Sequence, residues 1–180
     1  MRRRAIFLDR DGTVVRAIYR PTWEKKITAP FYINEVTFEP HLGEALKIFR
    51  SFGYMIIMAT NQPDVAHGYV TEKRWQEIHD AILAEVKPDF CLMCRHLDKY
   101  HCPNKKPQSG MLKSAADFFN LDDCLRGSFM IGDTRNDMLA GKKTDCKTIL
   151  IQRPYNIDDG MASIHADYIV KSLLEAAAIV

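Results

Sequence analysis

Ala5-Ile6-Phe7-Leu8-Asp9-Arg10-Asp11-Gly12-Thr13-Val14-Val15 is the stretch around which this chain is arranged. Its first four residues form an unbroken apolar run that ends in turn-forming residues. That is the pattern of a strand buried in a parallel sheet. Ligands of open α/β sheets sit at the carboxyl ends of the strands, so this strand delivers Asp9 and Asp11 to the edge where chemistry takes place. Residues two apart on an extended chain face the same side. Two carboxylates held together repel, so one keeps a proton or both share a cation. The pair suits a division of labour in which ionised Asp9 attacks as nucleophile and Asp11 serves as acid and then base. Gly12 leaves room for a ligand to approach the main chain. The plainer alternative is a strand end whose acids are solvated or cap a turn.

Outward from this stretch, strands alternate with helices. Arg16 to Glu39 has no period; it carries Arg16, Tyr19, Arg20, Trp23, Lys25, Lys26, Phe31 and Tyr32, and is expected to be a loop lining the site or an ordinary insertion. Leu42, Ala45, Leu46 and Phe49 recur at helical spacing, and Gly53 closes that helix. Tyr54 to Ala59 predicts a second strand, ending in Thr60-Asn61-Gln62-Pro63. Thr71 starts a helix with Trp75, Ile78, Ile82, Leu83 and Val86 inward. Phe90 to Met93 predicts a third strand, Met111 to Phe119 a helix, and Ser128 to Ile131 a fourth strand ending in Gly132-Asp133-Thr134-Arg135-Asn136-Asp137. A short helix to Lys142, strands at Lys147 to Ile151 and Asp167 to Val170, and a helix from Leu173 to Ala178 complete the chain. The alternation predicts a right-handed, mainly parallel α/β sheet in one domain spanning 1–180.

The 180 residues can bury their own core, and 47% apolar with 27% charged residues is an ordinary globular composition. A net charge of +2 is too small to argue for nucleic-acid or membrane partners, neither of which is expected, and no apolar stretch reaches membrane-spanning length. Met1-Arg2-Arg3-Arg4 is read as a solvated lead-in, because Asp9 and Asp11 interrupt the apolar segment a signal peptide would need. Five cysteines, an odd number, fit a reducing cytoplasm better than a disulfide framework. Cys124 and Cys146 are read as packing residues. The chain is expected to act as a monomer on a small metabolite.

Parallel strands would bring Asp9 and Asp11, Thr60 to Gln62, and Asp133 and Asp137 to one edge, with Lys105-Lys106-Pro107 closing the cleft. The set suits phosphoryl transfer. A phosphate and an anionic nucleophile about 4 Å apart repel by roughly 4 kcal/mol at an effective dielectric near 20, so cations must stand beside them. Asp9 and Asp133, with a main-chain oxygen of Asp11, offer hard oxygen ligands for Mg²⁺. Lys106 can neutralise phosphate, and Thr60 and Asn61 can donate to its oxygens. An acyl phosphate on Asp9 divides a very slow hydrolysis into two easier steps.

Asp9-x-Asp11-Gly12-Thr13, Thr60-Asn61, Lys106-Pro107 and Gly132-Asp133-x-x-x-Asp137 resemble, in order and spacing, the four motifs of haloacid-dehalogenase-like phosphatases. The version with Thr60-Asn61-Gln62 and Lys105-Lys106-Pro107 before Gly110-Met111-Leu112 is similar to the histidinol-phosphate and heptose-bisphosphate phosphatase branch. The resemblance implies a Rossmann-like three-layer sandwich without a large cap domain. It also implies Asp9 as nucleophile, Asp11 as acid and base, Thr60 and Lys106 as phosphate ligands, and Asp133 as a Mg²⁺ ligand. Asn61, Gln62 and Lys105 are the further substrate-binding candidates. The expected reaction is hydrolysis of a sugar phosphate such as D-glycero-D-manno-heptose 1,7-bisphosphate, with histidinol phosphate as the alternative substrate. Lys105 and His67 stand where relatives carry Arg, and Thr134 stands where they carry Lys.

Relatives also hold zinc on a loop of the form C-x-H followed by C-x-C. Here Cys94-Arg95-His96 matches the first half, while Cys102-Pro103-Asn104 has Asn in place of the last Cys. Structural zinc takes four ligands. Cys94, His96 and Cys102 supply three, and His101 is the nearest fourth; Cys91 belongs to the strand. The alternative is a metal-free loop in 94–106 with free thiols. Other readings are a receiver-type phosphoacceptor domain, an inert binding protein on the same fold, and a phosphatase of nucleic-acid ends.

Overall fold

A computed structural model describes residues 3–24, 26–121, 125–157, 160–163 and 165–180; Met1, Arg2, Lys25 and Cys124, named above, lie outside the described residues. The strand of the opening stretch is β1 (Arg4–Leu8), with Ala5, Ile6, Phe7 and Leu8 wholly buried. It lies inside a six-stranded sheet with β4 (Tyr54–Asn61), β5 (Phe90–Cys94), β6 (Phe129–Gly132), β7 (Lys147–Ile151) and β8 (Tyr168–Val170), in the order β5-β4-β1-β6-β7-β8. Every pairing in it is parallel. The chain builds outward from β1 to β4 and β5, then crosses back to β6. β1 is therefore the switch point of the sheet, where neighbouring connections diverge and leave a crevice.

Alternation along the strands sorts their side chains into two cores. Ile6, Leu8, Ile56 and Met58 pack with helices α1 (Leu42–Ser51), α2 (Glu72–Val86) and α6 (Leu173–Ala177). Ala5, Phe7, Ile57 and Ala59 pack on the other face with Met111, Leu112 and Ala115 of α3 (Gly110–Phe119). Apolar spacing dictates these helices, and their ends obey local chemistry. The Thr71 hydroxyl accepts the Arg74 N–H at the start of α2, and Gly53, at φ +79°, turns the chain after α1. Between β6 and β7 runs α4 (Arg135–Lys142), and α5 (Gly160–Ser163) precedes β8. The result is a three-layer α/β sandwich without a large cap.

The segment 16–39 is more ordered than its sequence suggests. β2 (Ile18–Tyr19) and β3 (Ile27–Thr28) form a small antiparallel hairpin. Its two ends are pinned together: Val15 bridges Phe38, and the Arg16 N–H donates to the Thr37 carbonyl at 2.9 Å. Strands of two residues carry too few positions to show a period.

Candidate active site

The carboxyl ends of β1, β4 and β6 open into a cleft of about 360 Å³. Asp9, Asp11, Asn61, Lys106, Asp133 and Asp137 line its floor, and Ala17, Ile27, Thr28 and Ala29 of the hairpin segment form a wall. Asp9 follows β1 directly, and its N–H donates to Ile131 of β6 at 3.0 Å, which brings the two strand ends together. Lys106 is buried, and its ammonium donates to Asp9 Oδ1 at 2.8 Å and to the Ala59 carbonyl at 2.6 Å. It also pairs with Asp137 at 2.5 Å. Burial alone would lower the Lys106 pKa, but Asp137 and Asp9 outweigh it and raise it above the ordinary value, so the lysine is a fixed positive charge. Asn61 clamps the lysine loop to β4: its side chain donates to the Lys106 carbonyl at 2.9 Å and accepts the Lys106 N–H at 3.0 Å.

Asp133 and Asp137 come from the turn between β6 and α4. Asp137 is the third residue of α4, and its Oδ2 accepts the Thr134 N–H at 3.0 Å and the Thr134 hydroxyl at 2.5 Å, a capping box. Gly132 makes room for it, because a Cβ there would lie 2.3 Å from Asp137 Cγ. Burial first, then Asp9 and Asp137, push the Asp133 carboxyl well above the usual carboxylate range. Asp133 Oδ1 is buried and has no hydrogen-bond partner among the described residues.

An orphaned, buried carboxylate oxygen beside two more acids is what a divalent cation would satisfy. Ligand oxygens of Asp9, Asp133 and Asp137 lie within 4.8 Å of one another, and an all-oxygen, anionic donor set suits Mg²⁺. Asp137 thus joins the cluster, although the metal set expected from the sequence leaves it out. The Asp11 side chain does not join it: both its oxygens accept from Arg10 Nε, at 3.1 and 3.0 Å, and Oδ2 accepts from Gln62 at 2.7 Å.

Three residues expected to bind substrate, Thr60, Gln62 and Lys105, do not line the cleft. Thr60 is buried, and its hydroxyl accepts from Gln62 at 3.0 Å. Gln62 is wholly buried behind Asp11. Lys105 points away, donating to the His96 carbonyl at 2.7 Å and pairing with Asp98 at 3.0 Å. Successive residues diverge here: Lys106 turns inward to Asp9, and Lys105 turns back onto the cysteine loop.

On that loop, ligand atoms of Cys94, His96 and Cys102 lie within 4.8 Å of one another, with Cys94 Sγ 3.6 Å from His96 Nδ1. His101 is not part of the group; it is exposed, in a left-handed turn at φ +46°. Cys91 packs on the opposite face of the sheet from Cys94. The donors therefore fit three of zinc's four positions.

The turn after β7 contributes residues that the sequence motifs do not include. Tyr155 donates its hydroxyl to Asp133 Oδ2 at 2.6 Å, Asn156 donates to the Asp133 carbonyl at 2.7 Å, and Arg153 donates to the Gly12 carbonyl at 2.8 Å. A signal for them is present: Gln152 to Asn156 is another polar strand end, next to that of β6.

Comparison with known proteins agrees with this geometry. Residues 104–176 match the family model described as HAD-hydrolase-like. The D-glycero-alpha-D-manno-heptose-1,7-bisphosphate 7-phosphatase of Campylobacter jejuni is 33% identical over 156 residues, covering 84% of this chain and 83% of that protein. The D-glycero-beta-D-manno-heptose-1,7-bisphosphate 7-phosphatase of Helicobacter pylori strain 26695 is 32% identical over 161 residues, with 84% and 86% covered. The structure of D,D-heptose 1.7-bisphosphate phosphatase from B. bronchiseptica, complexed with magnesium and phosphate, superposes with a TM-score of 0.78 at 23% identity, over 98% of this chain and 97% of that one. The chain belongs to the haloacid-dehalogenase-like hydrolases, and it is a phosphoric monoester hydrolase. Within them it falls in the heptose-bisphosphate phosphatase branch.

Proposed function

We propose that this chain hydrolyses a phosphorylated sugar, with D-glycero-D-manno-heptose 1,7-bisphosphate the first substrate to test, through an aspartyl phosphate on Asp9. The observation that carries this reading is the meeting of Asp9, Asp133, Asp137 and the Lys106 ammonium at the switch point of the sheet. Asp9 attacks phosphorus, and Asp11 protonates the departing oxygen and then takes a proton from the water that cleaves the aspartyl phosphate. Lys106 pairs with Asp9 and offsets charge on the phosphoryl oxygens, and Asn61 keeps the lysine loop over the cleft. Mg²⁺ held by Asp9, Asp133 and Asp137, with the Asp11 main-chain oxygen, would supply the remaining charge neutralisation. Relatives named for the alpha and for the beta anomer match about equally well, so both anomers belong in the test.

Zinc on Cys94, His96 and Cys102 belongs to the same proposal, as a brace for the loop carrying Lys105 and Lys106. So does a single domain at a reducing, cytoplasmic location; the thiols of Cys91, Cys94, Cys102 and Cys146 are free. The decisive experiment measures phosphate release from both anomers and from histidinol phosphate, with and without Mg²⁺, for the native chain and Asp9→Asn. Release from a heptose bisphosphate that needs Mg²⁺ and vanishes in a folded Asp9→Asn protein is the expected result. Undiminished turnover by Asp9→Asn would remove Asp9 as the nucleophile.

A further inference from the structure

Behind the cleft floor, a run of hydrogen bonds centred on buried Gln62 ends on Asp11, whose two oxygens also accept from Arg10 Nε. Gln62 is wholly buried; its Nε2 donates to Asp11 Oδ2 at 2.7 Å and to Thr60 Oγ1 at 3.0 Å. Its Oε1 accepts from the indole N–H of Trp75 at 3.2 Å. An amide can sit either way round, but an indole N–H only donates. Trp75 therefore fixes the Gln62 oxygen toward itself and sends the amide nitrogen to Asp11. Trp75 is itself held in place. It is buried, His79 stacks on it with ring centroids 4.7 Å apart, and the Arg95 guanidinium lies 4.3 Å from its ring centre while pairing with Glu72 at 2.5 Å. Neither Gln62 nor Trp75 lines the cleft, so neither is placed to touch substrate.

We infer that Gln62 and Trp75 are positioning residues for the acid step: the indole N–H orients the amide, and the amide holds the Asp11 carboxyl where it can protonate the leaving oxygen. The inference rests on the phosphatase reading above. In the step concerned, the bond from phosphorus to the leaving oxygen breaks as the bond from Asp9 to phosphorus forms. The proton on Asp11 passes to the leaving oxygen, and Asp11 is left as carboxylate. A small misplacement of a catalytic group is enough to be felt, since a shift of about 1 Å can cost as much as ~100-fold in rate.

The test exploits leaving groups. Phenyl phosphate and p-nitrophenyl phosphate have similar shapes, but phenoxide is the more basic leaving group and needs protonation more. kcat/KM reports only the steps up to loss of the alcohol, so later hydrolysis of the aspartyl phosphate does not enter it. The native chain, Trp75→Phe, which keeps an aromatic ring and loses the N–H, and Gln62→Met are compared with Mg²⁺ present. We expect the ratio of kcat/KM for phenyl over p-nitrophenyl phosphate to fall by about tenfold in Gln62→Met and severalfold in Trp75→Phe, within the range of acid catalysis. An equal fall on both esters, a change confined to KM, or no change in either variant overturns the inference alone. Absence of turnover of both esters by the native chain overturns this inference, and absence of phosphate release from the heptose bisphosphates as well overturns the proposed function with it.

Discussion

At the scale of single residues, the site is a balance of charge in which each group is held by a neighbour. Tyr155 shows the point. Its hydroxyl donates to Asp133 Oδ2, and burial followed by the adjacent Asp133 carboxylate raises its pKa, so it stays a donor. Tyr155→Phe should leave the fold intact and raise the Mg²⁺ concentration for half-maximal phosphate release by about tenfold, the usual effect of losing a partner to a metal ligand. A titration of activity against Mg²⁺ checks it. Asp9, Asp11 and Asp133 could be found in the sequence because each follows an apolar run at a strand end, and Lys106 because it stands on the polar loop before a helix. Tyr155, Gln62 and Trp75 act through partners 22, 51 and 13 residues away, and no local pattern records such contacts.

At the scale of elements, the turns after β1 and β6 share space. Gly12 has φ +84°, and a Cβ there would lie 2.1 Å from Asp133 Oδ2 and 2.5 Å from the Tyr155 hydroxyl. Gly12→Ala should therefore cost about 2 kcal/mol of stability, through backbone strain and collision, and remove activity by displacing Asp133. Denaturant melts beside an activity assay would read both effects. The main strands and helices were legible because their periods of two and 3.6 run long enough to register. The hairpin was not, because two-residue strands have no repeat. Lys105 is a related case. Sequence places it beside Lys106, while the loop sends one inward and the other to His96 and Asp98.

For the molecule as a whole, stability and loop integrity can be separated. His79 is buried against Trp75; burial, then Arg10, holds its pKa below the ordinary 6.5, with Asp80 and Asp11 pulling upward and Arg95 downward. A histidine with a depressed native pKa binds fewer protons folded than unfolded, so its contribution is full above about pH 6.5 and is lost as pH falls toward the native value. Urea unfolding at pH 7.5 and 5.5 should show the native chain losing stability on acidification, by up to about 1.4 kcal/mol per pH unit, with a shallower slope in His79→Phe. The cysteine loop is tested by metal content. Cys94→Ser should abolish zinc binding and lower the melting temperature, and an unchanged melting temperature with no zinc in the native chain would leave the loop without a metal.

The clasp between Val15 and Phe38 has a consequence for how such a chain diversifies. One wall of the cleft is a contiguous piece, 16–39, whose two ends lie side by side between β1 and α1. Such a piece can be exchanged like a cassette while Asp9, Lys106 and Asp133 stay fixed on the scaffold beneath it. The wall and the acid cluster thus lie in separate parts of the chain, and evolution can edit the one without rewriting the other.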